Sequence, residues 1–105
     1  MDKKSNVVKS VTQEGQTLTV ELFGALNINN ADELTDALAG KLEGTQTLIL
    51  EMKNLTYLTS AGIRVLVIII QALSAHDGEV IARHVNEDTM GVLELVNIHK
   101  LITIE

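Results

Sequence analysis

Hydrophobic positions recur along this chain with two different periods, and the changes of period mark its elements. Leu18, Val20 and Leu22 alternate with Thr17, Thr19 and Glu21, the period-two pattern of a half-buried strand. Residues 7–12 and 17–23 therefore read as two strands, joined by the short connection Gln13-Glu14-Gly15-Gln16 of a hairpin. Residues 24–29 read as a loop. Asn30 is the expected cap of a first helix, with Glu33 three residues on and Asp32 between them to complement the positive helix end. Ala31, Leu34, Leu38 and Leu42 follow at helical spacing, with Gly44 beyond the end. Residues 47–52 are more continuously apolar and read as a third, more central strand, with Lys53 and Asn54 as a turn after it.

Residues 63–73 are apolar on almost every side. Six β-branched residues keep a strand reading open there, but the length and the Thr59-Ser60 start favour a helix. Asp77-Gly78 reads as a turn and residues 80–85 as a fourth strand. Asn86 caps a third helix with Glu87 and Asp88 in its first turn and Val92, Leu93, Leu95 and Val96 on its buried side. Asn97 is a left-handed helix stop, and residues 101–104 form a last short strand. The order β-β-α-β-α-β-α-(β) predicts an α/β fold: a mixed sheet that opens with a hairpin, continues through right-handed crossovers, and has helices packed against it. At 105 residues the chain fits a single domain over 1–105, without repeats or a linker.

Composition sharpens this picture. With 46% hydrophobic and 21% charged residues the chain is expected to be globular, and with 2% aromatics its core must be aliphatic. The absence of cysteine excludes disulfides and thiol chemistry. Met1–Asn6 has no apolar stretch behind its basic residues, so no secretory signal is expected. The longest apolar run, residues 65–70, is flanked by Arg64 and Gln71 and falls far short of the roughly 18 residues of a membrane span. A cytoplasmic location without membrane insertion is the expectation. A net charge of −6 disfavours direct contact with nucleic acid. Solubility alone accounts for that charge at least as well as a partner with a neutral or basic face.

Little in the chain points to catalysis. Neither a GxxxxGK[ST] nor a GxGxxG phosphate loop occurs. His76, His84 and His99 fall on separate elements, a spacing that suits surface histidines better than a metal site. Asp32, Glu33, Glu87 and Asp88 are explained by helix dipoles. Ser60 lacks the surroundings of a hydrolase nucleophile. No enzyme, cofactor or metal is expected.

The segment Asn54-Leu55-Thr56-Tyr57-Leu58-Thr59-Ser60-Ala61-Gly62-Ile63-Arg64-Val65-Leu66 stands apart, because it joins a central strand to a very apolar helix. It resembles the signature of the STAS domain, specifically of the bacterial anti-sigma factor antagonists. Gly24-Ala25-Leu26-Asn27 with Ala31, and the late helix through residues 93–98, extend the resemblance over nearly the whole chain. The resemblance implies that Ser60 is phosphorylated by an anti-sigma factor that is also an ATP-dependent serine kinase. It further implies that the unphosphorylated form binds that factor and releases a sigma factor, and that a serine phosphatase restores it. Two positions depart from the family: Thr59 stands where a carboxylate is frequent, adding a second hydroxyl, and Asn27 stands where the family has an aspartate, so that any docking through that carboxylate must here be weaker or done differently.

Elementary chemistry agrees with that reading. A hydroxyl at a helix N-terminus is open to a kinase, and the helix end tolerates added negative charge. Capping by Thr59 or Ser60 alone is the plainer alternative. Ser60, Arg64, Ile68, Gln71 and Ala75 share one stripe of the helix, with Ile63, Leu66, Val67, Ile70 and Leu73 facing the core. The expected partner-binding set is Asn27, Thr59, Ser60, Arg64, Ile68 and Gln71. The alternative function is that of a STAS-type regulatory subunit of a membrane transporter.

Overall fold

Two strands, β1 (Val8–Glu14) and β2 (Thr17–Leu26), open the computed structural model as an antiparallel hairpin; the model describes residues 7–105. Met1–Asn6, the segment weighed above as a leader, lies outside the described residues. The chain continues through α1 (Ala31–Leu38), β3 (Thr47–Leu58), α2 (Ser60–Ser74), β4 (Glu79–Arg83), α3 (Glu87–Leu95) and β5 (Thr103–Ile104). The strands lie side by side in the order β1-β2-β3-β4-β5, antiparallel at β1–β2 and parallel at every later pairing. This is the mixed α/β sheet that the element order predicts.

Each helix joins neighbouring parallel strands, and every step moves the same way across the sheet. Right-handed crossovers of that kind place α1, α2 and α3 on one face. There Leu18, Val20 and Leu22 of β2 and Leu48, Leu50 and Met52 of β3 pack with Leu34, Leu38, Leu66, Ile69, Leu73 and Leu93 of the helices. Thr17, Thr19 and Glu21 alternate with the buried residues of β2 and turn to the opposite face.

The structure corrects several local expectations. β2 does not stop at Phe23, nor β3 at Met52. Both run on, and β3 gains an extra residue twice relative to β2, at Glu21/Phe23 and at Gly24/Ala25. Those bulges change the buried spacing from two to three (Met52, Leu55, Leu58), so the polar Lys53 and Asn54 imitate a turn. The hairpin turn is Gly15-Gln16 alone, with Gly15 at φ +62°.

The first helix ends at Leu38. Gly40, at φ +78°, breaks it, and Leu42 belongs to a separate 3-10 turn, Leu42–Gly44. The buried side of α3 is Thr89 and Leu93, while Leu95 is 83% exposed and Val96 is also exposed. Nine residues leave room for one inward stripe only. On α2 the inward stripe is Gly62, Val65, Leu66, Ile69 and Leu73; Ile63, Val67 and Ile70 are half-buried at its sides. Asn86 caps α3 through Thr89 N–H at 2.7 Å, and Asn97 is left-handed at φ 63°, both as expected. The final strand is shorter than expected, Thr103–Ile104.

Candidate functional site

Because β2 and β3 are parallel neighbours, the chain leaves both at the same edge of the sheet. The turn into α1 and the turn into α2 therefore meet there. The contact is close because residue 62 is glycine. A Cβ on Gly62 would stand 2.9 Å from the Leu26 carbonyl oxygen, 2.9 Å from Leu26 Cγ and 2.8 Å from Leu58 Cδ1. The first turn of α2 thus lies directly on the end of β2.

Thr59 fastens that contact. Its backbone N–H and its hydroxyl both donate to the Leu26 carbonyl, each at 3.1 Å. The hydroxyl does not cap the helix, so capping is not what Thr59 does. Ser60 follows as the first helical residue and is exposed, as the strand–turn–helix reading predicts. First-turn N–H groups of a helix have no intrahelical partner, and the N-cap residue of α2, Thr59, makes no side-chain bond to them. A negative charge on Ser60 would sit where the helix dipole favours it.

The other wall comes from the β2–α1 turn. Asn30 occupies the N-cap position of α1 without capping it. It is 4% exposed; its Oδ1 accepts from Asn27 N–H at 2.8 Å and its Nδ2 donates to the Ala25 carbonyl at 2.7 Å. Glu33 likewise does not close a capping box, since its Oε1 accepts from Val7 N–H at 3.1 Å. Asn27 carries the turn: its carbonyl accepts from the N–H groups of Asn30 and Ala31, and its Oδ1 from Asn29 N–H at 2.9 Å. Ile28 is left projecting, 81% exposed.

Between these walls lies a shallow groove of about 320 Å³, lined by Ile28, Ala31 and Asp32 on one side and Ser60, Ala61, Arg64 and Val65 on the other. Of the expected site residues, Ser60 and Arg64 line it, one turn apart. Thr59 and Asn27 sit behind it as structure. Ile68 lines a second groove further along α2, and Gln71, although exposed, lines neither. Ile28, Asp32, Asn30 and the Leu26 carbonyl were missed, because only the parallel β2–β3 pairing brings residues 26–32 beside residues 58–65. The exposed Ile28 inside an Asn-rich turn is the one signal that the sequence offered.

A family model described as STAS domain matches residues 8–105. No curated protein matches the sequence. Among solved structures, an anti-sigma-factor antagonist (STAS) domain protein from Planctomyces limnophilus superposes with a TM-score of 0.82 at 17% identity, over 91% of this chain and 86% of that one. The anti-sigma factor antagonist SpoIIAA in its unphosphorylated form gives 0.75 at 15% identity, over 91% and 86%. The phosphorylated form, described as a Bacillus cell fate determinant, gives 0.74 at 15%, over 91% and 89%. A sulfate transporter family protein from Wolinella succinogenes gives 0.73 at 20%, over 88% and 75%. At such identities these likenesses are likenesses of fold.

Proposed function

The chain belongs to the STAS domain family, and on that premise we propose that it is an anti-sigma factor antagonist switched by phosphorylation of Ser60. In this reading it is a cytoplasmic, non-catalytic binding module. Unphosphorylated, it holds an anti-sigma factor with serine kinase activity, and a sigma factor is set free. Phosphate on Ser60 ends the complex, and a serine phosphatase renews it.

One observation carries the proposal: of the two adjacent hydroxyls at the start of α2, Ser60 is exposed on the groove while that of Thr59 is spent on the Leu26 carbonyl. A kinase that approaches this groove meets the Ser60 hydroxyl beside the Arg64 cation. The added phosphate brings about −1.5 to −2 charges to a contact face. Docking would then require their desolvation, which is costly. Asn27, Thr59, Arg64, Ile68 and Gln71 complete the proposed partner surface, Asn27 and Thr59 by shaping it.

The test is phosphate incorporation with ATP and the purified kinase-type anti-sigma factor of the same genome, followed by peptide mapping. One phosphate on Ser60 is expected, with Thr56 and Thr59 as internal controls. Undiminished incorporation into a Thr56, Thr59, Ser60 triple-alanine variant would end the proposal. The likeness to a sulfate transporter family protein supports a second reading, a regulatory subunit of a membrane transporter. That reading predicts co-purification with a permease and indifference to Ser60→Asp.

A further inference from the structure

Beyond Arg64 the two helices that bound the Ser60 groove come together again. A second groove of about 230 Å³ opens between the C-terminal halves of α1 and α2. Leu38 and Ile69, both buried, form its floor; Ile68, 54% exposed, forms one wall. Thr35 and Glu43 stand among its lining, and Gly40 turns the chain away at φ +78° with nothing within 4 Å of where a Cβ would be. The same two helices bound both grooves. On α1, Asp32 lines the first and Thr35 the second; on α2, Arg64 lines the first and Ile68 the second. The two grooves follow one another between the same helices, with Ser60 and Ile68 roughly 12 Å apart along the helix axis.

We propose that the second groove is the anchor subsite for the partner that addresses Ser60. Its occupant is a segment of that partner with a branched aliphatic or aromatic side chain seated against Ile68, Leu38 and Ile69, and a basic side chain directed to Glu43. The inference rests on the Ser60 reading and deepens it. Size, position and charge all favour this occupant. The groove exceeds the roughly 150 Å³ that holds a benzene ring. It lies between the same two helices as the groove that carries the acceptor hydroxyl. Among the described residues Glu43 is the one charged residue lining it; Lys41, the nearby cation, does not line it.

The two grooves then do different work. The anchor supplies affinity through a desolvated apolar contact, and Ser60 decides whether the complex is tolerated. Loss of the anchor should weaken binding of the unmodified and the Ser60→Asp protein by the same factor, whereas Ser60→Asp changes affinity with the anchor intact.

The probe is the purified kinase-type anti-sigma factor of the same genome that phosphorylates the wild-type chain, titrated calorimetrically. Ile68→Asp is expected to weaken binding about 30-fold, the scale of a hot-spot residue, and Ile68→Ala about 10-fold. Glu43→Lys should weaken binding and reduce its salt dependence. Leu95→Asp, on the exposed side of α3, should bind like wild type. Amide resonances of Thr35, Ala39, Gly40 and Glu43 should shift on titration. If Ile68→Asp and Ile68→Ala both bind within about twofold of wild type while Ser60→Asp weakens binding, the anchor is overturned and the Ser60 reading stands. If Ser60→Asp binds like wild type, the Ser60 reading fails and takes the anchor with it.

Discussion

Gly62→Ala sets two well-defined effects against each other. Helix propensity favours alanine over glycine within a helix by about 1 kcal/mol, so on that ground the substitution stabilises. Packing opposes it. The new Cβ would meet Leu26 O and Leu26 Cγ at 2.9 Å and Leu58 Cδ1 at 2.8 Å. Leu26 and Leu58 are both buried, and the carbonyl oxygen is part of the β2 backbone, so it cannot swing aside as the end of a side chain could. Overpacking of this kind costs about 1–3 kcal/mol. If relief comes from lifting the first turn of α2, the two Thr59 bonds to Leu26 lengthen together, at about 0.5–1.5 kcal/mol each. The net expectation is a loss of about 1–2 kcal/mol. In a domain of this size that lowers Tm by several degrees, at roughly 4–8 °C per kcal/mol. Urea denaturation gives the stability, and the initial rate of phosphate incorporation reads the displacement of Ser60; both should fall. A Gly62→Ala protein about 1 kcal/mol more stable than wild type, phosphorylated at the wild-type rate, would show that propensity wins and that the close approach does not position the site.

Ser60→Ala should abolish phosphate incorporation and keep partner binding. Its stability by urea denaturation should stay within about 0.5 kcal/mol of wild type, because Ser60 is the first helical residue and not the cap. Ser60→Asp should weaken partner binding in calorimetry and raise stability by about 0.3–1 kcal/mol through the helix dipole, an increase that salt diminishes. Arg64→Ala, at an exposed position without an ion-pair partner among the described residues, should weaken partner binding while the unfolding midpoint stays unchanged. Asn30→Ala removes both side-chain hydrogen bonds of Asn30 and leaves the part-buried Asn27 N–H and Ala25 carbonyl without those partners. A loss of about 2 kcal/mol is expected, with faster amide exchange at Asn27 as the local readout.

The elements legible in the sequence were those whose side chains follow one period from end to end. Leu18, Val20 and Leu22 did so, as did Asn86 with its capped helix and the long apolar helix behind Thr59. The second half of β3 was not legible, because bulges put Met52, Leu55 and Leu58 inward at intervals of three. Nor were the ends of α1 and α3. Gly40 stopped one helix before Leu42, and the shortness of the other left Leu95 outside. At the site, Ser60 came from the resemblance of its segment to the STAS signature, and Arg64 from helical spacing one turn after it. The opposite wall could not, since Ile28 and Asp32 reach Ser60 only through the parallel pairing of β2 with β3. Asn30 and Thr59 misled for one shared reason: both occupy N-cap positions, and both spend their side chains on tertiary bonds instead.

Within the short string Thr59-Ser60-Ala61-Gly62, adjacent letters answer different questions. Gly62 answers to the backbone of β2 and is required wherever the first turn of a helix rests on that carbonyl, whatever the protein is for. Ser60 is exposed, and its hydroxyl has no hydrogen-bond partner among the described residues. A chain that kept the glycine and exchanged the serine would still superpose on this one and would offer no acceptor there. A match to the string therefore diagnoses architecture at its last position, and at its second it bears only on the proposed switch. Descent can keep the one while it discards or reinvents the other.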